Sequence, residues 1–118
     1  MTELLYGGVD IAMKVPPHQY QATVAFYRDV IGLKQIVGEG DAALFALGPI
    51  RLWIDEVPAM SQAELWLELM TPDLERAAAH LERAGVIRCD PIEALPEDLR
   101  GAWIVNPAGI VHLVREAQ

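Results

Sequence analysis

Nine side chains in this sequence are of types that hold a small ligand, and most fall on one side of alternating segments. Asp10 and Lys14 flank Ala12 at two-residue steps; Arg51, Trp53 and Asp55 repeat the step, and Glu64, Trp66 and Glu68 repeat it again before Met70. Successive residues of a strand point to opposite faces, so each set shares a face. Tryptophan rings stack on planar or cationic groups, carboxylates attract cations, and a guanidinium orients a ligand through paired hydrogen bonds. His112 joins them if Val111 and Leu113 pack on a helix. Tryptophans and charges together on a sheet face describe a wet, shaped cleft better than a dry core. A plainer reading stands beside this one. In it Trp53 and Trp66 are core or dimer-interface residues, His112 is a hydrogen-bonded structural histidine, and Arg51 neutralises Asp10, Asp55 or Glu68.

The elements that must position these residues form one pattern written twice. Val9–Val15 alternates strictly, with Val9, Ile11, Met13 and Val15 on its apolar side, until Pro16-Pro17 ends the ladder. Gln21–Ile31 reads as a helix burying Ala22, Phe26 and Val30, and Gly32 is its stop. Strands are predicted at Leu33–Val37, Ala42–Leu47 and Ile50–Asp55, separated by turns at Gly38–Asp41 and Gly48-Pro49. After the linker Val57–Ser61 the order recurs: an alternating strand through Met70, then a helix opened by Thr71-Pro72-Asp73. That helix has Leu74, Ala78 and Leu81 as its stripe and Gly85 as its stop, followed by strands at Val86–Cys89, Gly101–Val105 and Ile110–Arg115. The expectation is a single α+β domain of two tandem βαβββ modules, about residues 1–58 and 62–118. They form a curved mixed sheet, a cup, with helices on the outer face and the candidate site on the inner one. Pro91–Leu99 is either a solvated connection or a lid over the pocket.

Bulk properties narrow the function classes. The chain has 118 residues, enough for one domain, and a mean hydropathy of +0.21 argues against disorder. Its formal charge of −8 disfavours a nucleic-acid partner, whose polyanionic backbone calls for a basic face. No apolar run approaches membrane-spanning length, and the N-terminus lacks the pattern of a signal peptide. The single cysteine, Cys89, fits a reducing compartment, so a cytoplasmic protein is expected.

Three segments carry a family resemblance. Ala25-Phe26-Tyr27-Arg28-Asp29-Val30-Ile31-Gly32-Leu33 resembles the first-helix end of the vicinal oxygen chelate superfamily, which includes glyoxalases, bleomycin-resistance proteins and extradiol dioxygenases. Asp73 through Leu81 with Ala84-Gly85-Val86 resembles its second helix, and Asn106-Pro107-Ala108-Gly109 the turn before its last strand. The resemblance implies a cup that, in the enzymes, holds a divalent metal on His, Gln or Glu side chains from several strands. Carried over by position, those ligands fall on Asp10, among Arg51, Trp53 and Asp55, on Glu64 or Trp66, and on His112 or Leu113. Asp10, Glu64 and His112 are the set able to bind a metal on chemical grounds. The leading expectation is a bleomycin-resistance-type small-molecule binder without an essential metal, in which Trp53 and Trp66 stack and Asp10, Asp55 and Glu68 face cationic groups. The alternatives are a metal-dependent lyase, isomerase or dioxygenase, and a regulatory module with a filled cup. Homodimerisation is expected in each case.

Overall fold

The computed structural model describes residues 3–37 and 43–117, which form two compact units. The turn expected at Gly38–Asp41, and Ala42 at the head of the following strand, lie outside the described residues.

One unit comprises Val9–Trp66. It contains β2 (Asp10–Val15), the helix α1 (Pro17–Ala25) continued by a π-helical turn (Phe26–Ile31), β3 (Ala43–Leu47), β4 (Ile50–Glu56) and the start of β5 (Glu64–Thr71). Here β2 pairs in parallel with β4 and antiparallel with β5, while β3 runs antiparallel to β4, so the sheet is mixed. The strand expected at Leu33–Val37 is reduced to a bridge between Gln35 and Phe45, supported by backbone bonds from Ile36 to Leu44 and from Ala46 to Lys34. Val15, Phe45, Leu52 and Ile54 are buried, with Ile11, Met13, Tyr20, Val24 and Tyr27 packed on them. Each such side chain withdrawn from water contributes about 1.5–3 kcal/mol before entropic losses.

The expected helix stripe is corrected here. Ala22, Phe26 and Val30 face solvent, Phe26 at 45% and Val30 at 73% exposure. The segment is apolar on two sides, and the side that won is Tyr20, Val24 and Tyr27. The helix begins earlier than expected, at Pro17, and its last turn widens to π geometry before Gly32 closes it at a left-handed φ of 77°. Leu33 N donates to Tyr27 O across that closure.

The other unit comprises the residues up to Gly8 together with Leu67–Gln118. Besides the rest of β5 it contains β1 (Tyr6–Gly7), α2 (Leu74–Arg83), β6 (Ile87–Arg88), a 3-10 turn (Asp90–Ile92), β7 (Gly101–Val105) and β8 (Val111–Glu116). The pairing repeats that of the first unit. β5 and β8 are parallel, β8 and β7 antiparallel, and β7 and β6 antiparallel. The strand–helix–three-strand order is complete in this unit, while in the first the strand after the helix is only the Gln35–Phe45 bridge, and the α+β class holds. β1, which the alternation did not signal, adds an antiparallel partner to β5.

Ala77, Ile104 and Val114 are the buried centre beneath α2, with Leu69, Leu74 and Leu81 against them. Ala77, one position before the expected Ala78, therefore centres the stripe. The cap is also displaced: Asp73 is the N-cap and its Oδ1 accepts from Arg76 N, while Thr71 closes β5 and accepts from Asp73 N. Glu116 reaches over from β8 to accept from Leu74 N, so two carboxylates meet the positive helix end.

Candidate functional site

In the unit Val9–Trp66, strand register decides which charged groups meet. Asp10 lies opposite Arg51, Ala12 opposite Trp53, and Lys14 opposite Asp55. On the other flank, Ala12 lies opposite Trp66 and Lys14 opposite Glu64. Ile11, Met13, Leu52 and Ile54 take the helix-covered face, so Asp10, Lys14, Arg51, Trp53, Asp55, Glu64 and Trp66 share the opposite one.

The centre of this face is a bidentate ion pair. Arg51 Nε and Nη2 donate to Asp10 Oδ1 and Oδ2 at 2.8 and 2.9 Å, and Trp53 Nε1 donates to Oδ1 at 2.8 Å. The planar fork fixes both side chains at once, which a lysine would not do. Arg51 is 37% exposed in its side chain while Asp10 lies deeper, so the guanidinium stands at the rim with its carboxylate beneath. Its carbon is 5.9 Å from the Trp53 ring.

A second layer lies beside it. Lys14 is only 3% exposed, and its ammonium pairs with Asp55 at 2.9 Å and sits 4.3 Å from the Trp66 ring. A buried ammonium is tolerable only when paired in this way. Trp66, itself 4% exposed, donates Nε1 to Glu64 Oε1 at 3.2 Å. Glu64 has no ion pair among the described residues. The face therefore carries Asp10, Asp55 and Glu64 against Arg51 and Lys14.

Glu68 and His112 belong to the other unit, where they occupy opposite faces of the sheet. Glu68 is buried, 3.6 Å from Arg115 Nη1 and pressed against Gly8, where any Cβ would collide with its carboxylate. His112 alternates with Val111 and Leu113, and Val114, two residues on, lies in the cluster beneath α2. The condition set for His112 is thus reversed. It sits on the helix-covered side, with Nδ1 3.1 Å from Ile110 O, while Leu113 takes the side of Glu68. Because β8 is apolar at both parities, alternation alone could not choose.

Trp103 was not singled out by spacing, because its strand is apolar throughout. It is buried on the same side as Leu113, and its Nε1 donates to Glu93 O at 2.8 Å while its backbone N donates to Asp90 Oδ1 at 3.0 Å. The first bond fastens Pro91–Leu99 at Glu93, the second holds Asp90 just before it, and Leu99 lies against Gly101 at its other end. The segment is a pinned strap. Burial, reinforced by the Asp90 charge, pushes the Cys89 thiol above its ordinary range, so it is a poor nucleophile at neutral pH.

The donors do not fit the divalent metal that the family resemblance implies. Both oxygens of Asp10 are committed to Arg51, Glu64 is bonded to an indole N–H, and His112 faces a helix. Among the described residues no group of three His, Cys, Asp or Glu side chains is placed to hold an ion. No helix among them is long and apolar enough to cross a membrane.

No protein-family model matches the sequence, and no curated protein does. Solved structures do match in shape. Methylmalonyl-CoA epimerase from Mycobacterium tuberculosis superposes with a TM-score of 0.69 at 16% identity, over 100% of this chain and 92% of that one. A glyoxalase/bleomycin resistance protein/dioxygenase superfamily member from Vibrio splendidus 12B01 gives 0.60 at 11% identity, over 91% and 97%. The Mn(II)-bound glyoxalase from Novosphingobium aromaticivorans gives 0.65 at 19%, over 93% of this chain and 38% of its own longer one. Likeness at these identities speaks to architecture, and with the strand pairing repeated in the two units it establishes that the chain has the fold of the vicinal oxygen chelate superfamily.

Proposed function

We propose that this protein binds a planar small molecule bearing a cationic group on the helix-free face of the unit Val9–Trp66, without an essential metal. The observation that carries this reading is the Asp10–Arg51–Trp53 network. It holds an indole and a guanidinium in fixed orientation on a partly exposed sheet face. Trp53 is the stacking surface. Trp66 is buried under Lys14 and supports the floor instead of touching ligand. Asp10 and Asp55 each already face a cation, so the group that meets the ligand's positive charge is Glu64, and Arg51 orients the ligand's acceptor atoms.

The test uses proflavine, a planar cation, with a naphthalenesulfonate as the planar anion. Proflavine raises the melting temperature of the parent, and Trp53→Ala weakens its binding about tenfold, the scale of a stacked cation on an indole. Glu64→Gln weakens proflavine and leaves the sulfonate unaffected. Equal affinity of parent and Trp53→Ala for every probe that binds would end this reading.

A second reading, a metal-dependent enzyme, draws on the fold shared with an epimerase and with a glyoxalase whose structure contains Mn(II). It predicts stoichiometric Ni, Zn, Mn or Fe after incubation and loss of that metal in Asp10→Ala. The commitment of Asp10 to Arg51 favours the metal-independent reading.

A further inference from the structure

At the middle of the helix-free face of Val9–Trp66 the smallest side chain stands between the two largest. Register sets Ala12 opposite Trp53 in β4 and opposite Trp66 in β5. Neighbouring strands lie about 4.8 Å apart, so the two tryptophan Cα atoms are about 9.6 Å apart across Ala12. Their indoles are then drawn toward opposite ends of β2. Trp53 Nε1 donates to Asp10 Oδ1 at 2.8 Å, whereas Trp66 Nε1 donates to Glu64 Oε1 at 3.2 Å, level with Lys14.

The gap between the diverging indoles is open on one side only. Both edges of β2 are paired at Ala12, so its partly exposed surface is the methyl group. Trp53 is also partly exposed, while Lys14 and Trp66 are 3% and 4% exposed. A ring laid flat on Trp53 therefore stands with one edge over the Ala12 methyl. No polar atom of Ala12 is free to meet that edge, because its N–H and C=O face the neighbouring strands. The charged groups lie at the two ends instead, Arg51 level with Asp10 and Glu64 level with Lys14, about 13 Å apart along β2.

Given the ligand face proposed above, on which this assignment rests, we propose that Ala12 is its specificity-determining floor. It admits the flat, unsubstituted hydrocarbon edge of a fused two- or three-ring ligand and excludes a thicker, saturated one. The ligand's cationic group then lies at the Glu64 end and its acceptor atoms at the Arg51 end. A bulkier residue at this position fills the space into which the edge descends, and a smaller one deepens it.

Titration calorimetry with two cations of the same tricyclic outline tests this. Proflavine is flat throughout, and tacrine has one saturated, puckered ring. The parent binds proflavine about tenfold more tightly than tacrine, the scale of one misplaced methylene in a fitted pocket. Ala12→Val weakens proflavine at least about tenfold, and Ala12→Gly reduces the preference for proflavine about threefold or more. Circular dichroism checks that each variant is folded, and Ala12→Gly decides by itself if Ala12→Val is not. A folded Ala12→Val that binds proflavine as tightly as the parent, while Trp53→Ala weakens it, overturns the role of Ala12 and leaves the ligand face standing. So does an Ala12→Gly variant with the parent's preference unchanged. Equal binding of every probe by the parent and Trp53→Ala overturns the ligand face itself, and the role of Ala12 with it.

Discussion

The two units repeat one strand order and then treat the helix-free face in opposite ways. In the unit Val9–Trp66 that face buries a cation, Lys14, held by Asp55 and the Trp66 ring. In the other unit the corresponding face buries an anion, Glu68, held near Arg115 in the space left by Gly8. The first face keeps Arg51 and Trp53 at its surface. The second sinks Trp103 and straps Pro91–Leu99 over it. The helices differ in the same sense. α2 has a side-chain cap and a buried stripe, whereas α1 has no side-chain cap and presents an apolar stripe to solvent. Duplication supplies two equivalent surfaces, and specialisation needs only one of them open. A tryptophan that is roofed stabilises; one that is left partly exposed is available to bind.

The largest test of this contrast is the pair of tryptophans. Trp103→Ala removes a buried ring and the anchor of the strap, and is expected to cost about 3–5 kcal/mol in urea denaturation. Trp53→Ala is expected to cost under about half of that and to act mainly on ligand binding. Equal destabilisation by the two would erase the distinction between roofed and open faces.

Next come the buried charges. Asp55→Ala removes the carboxylate 2.9 Å from the buried Lys14 ammonium and is expected to cost about 2–3 kcal/mol, less than a fully enclosed pair because Asp55 is partly exposed. Gly8→Ala drives a methyl into the Glu68 carboxylate and is expected to cost about 1–3 kcal/mol, with most of the loss recovered in Gly8→Ala, Glu68→Ala. Additive losses in that double variant would show that Gly8 matters for something other than Glu68. A smaller effect separates the helices: Asp73→Ala is expected to cost about 1 kcal/mol through its cap, and α1 has no side chain of equivalent weight. The smallest is chemical. Alkylation of Cys89 by iodoacetamide reaches half its maximal rate at higher pH than an unperturbed cysteine, and Asp90→Asn moves that midpoint down because it removes one cause of the raised pKa.

Much of the fold was legible in the residues. Gly101–Val105 occupies the expected span, Ile50–Glu56 and Val111–Glu116 lie within a residue of theirs, and Gly32 and Gly85 stop the helices at positive φ. Strict alternation in Asp10–Val15 was enough to place Asp10 and Lys14 opposite the helix, because only one parity is apolar. Where both parities or both helix sides are apolar, the pattern carried no such information. For that reason Ala22, Phe26 and Val30 were assigned to the core, and His112 was left conditional on Val111 and Leu113.

The sequence by itself determined the order of elements, their ends, and which residues share a face wherever polarity alternates. These are consequences of local backbone geometry and short-range periodicity. Tertiary structure alone decided the pairings: that Asp10 closes on Arg51 and Trp53, that Lys14 reaches Asp55, and that α1 turns Tyr27 inward. Those partners lie 41 residues apart for Arg51–Asp10 and Lys14–Asp55, and 43 for Trp53–Asp10. Only the parallel register of β2 with β4 sets those distances, and no local preference in either strand encodes it.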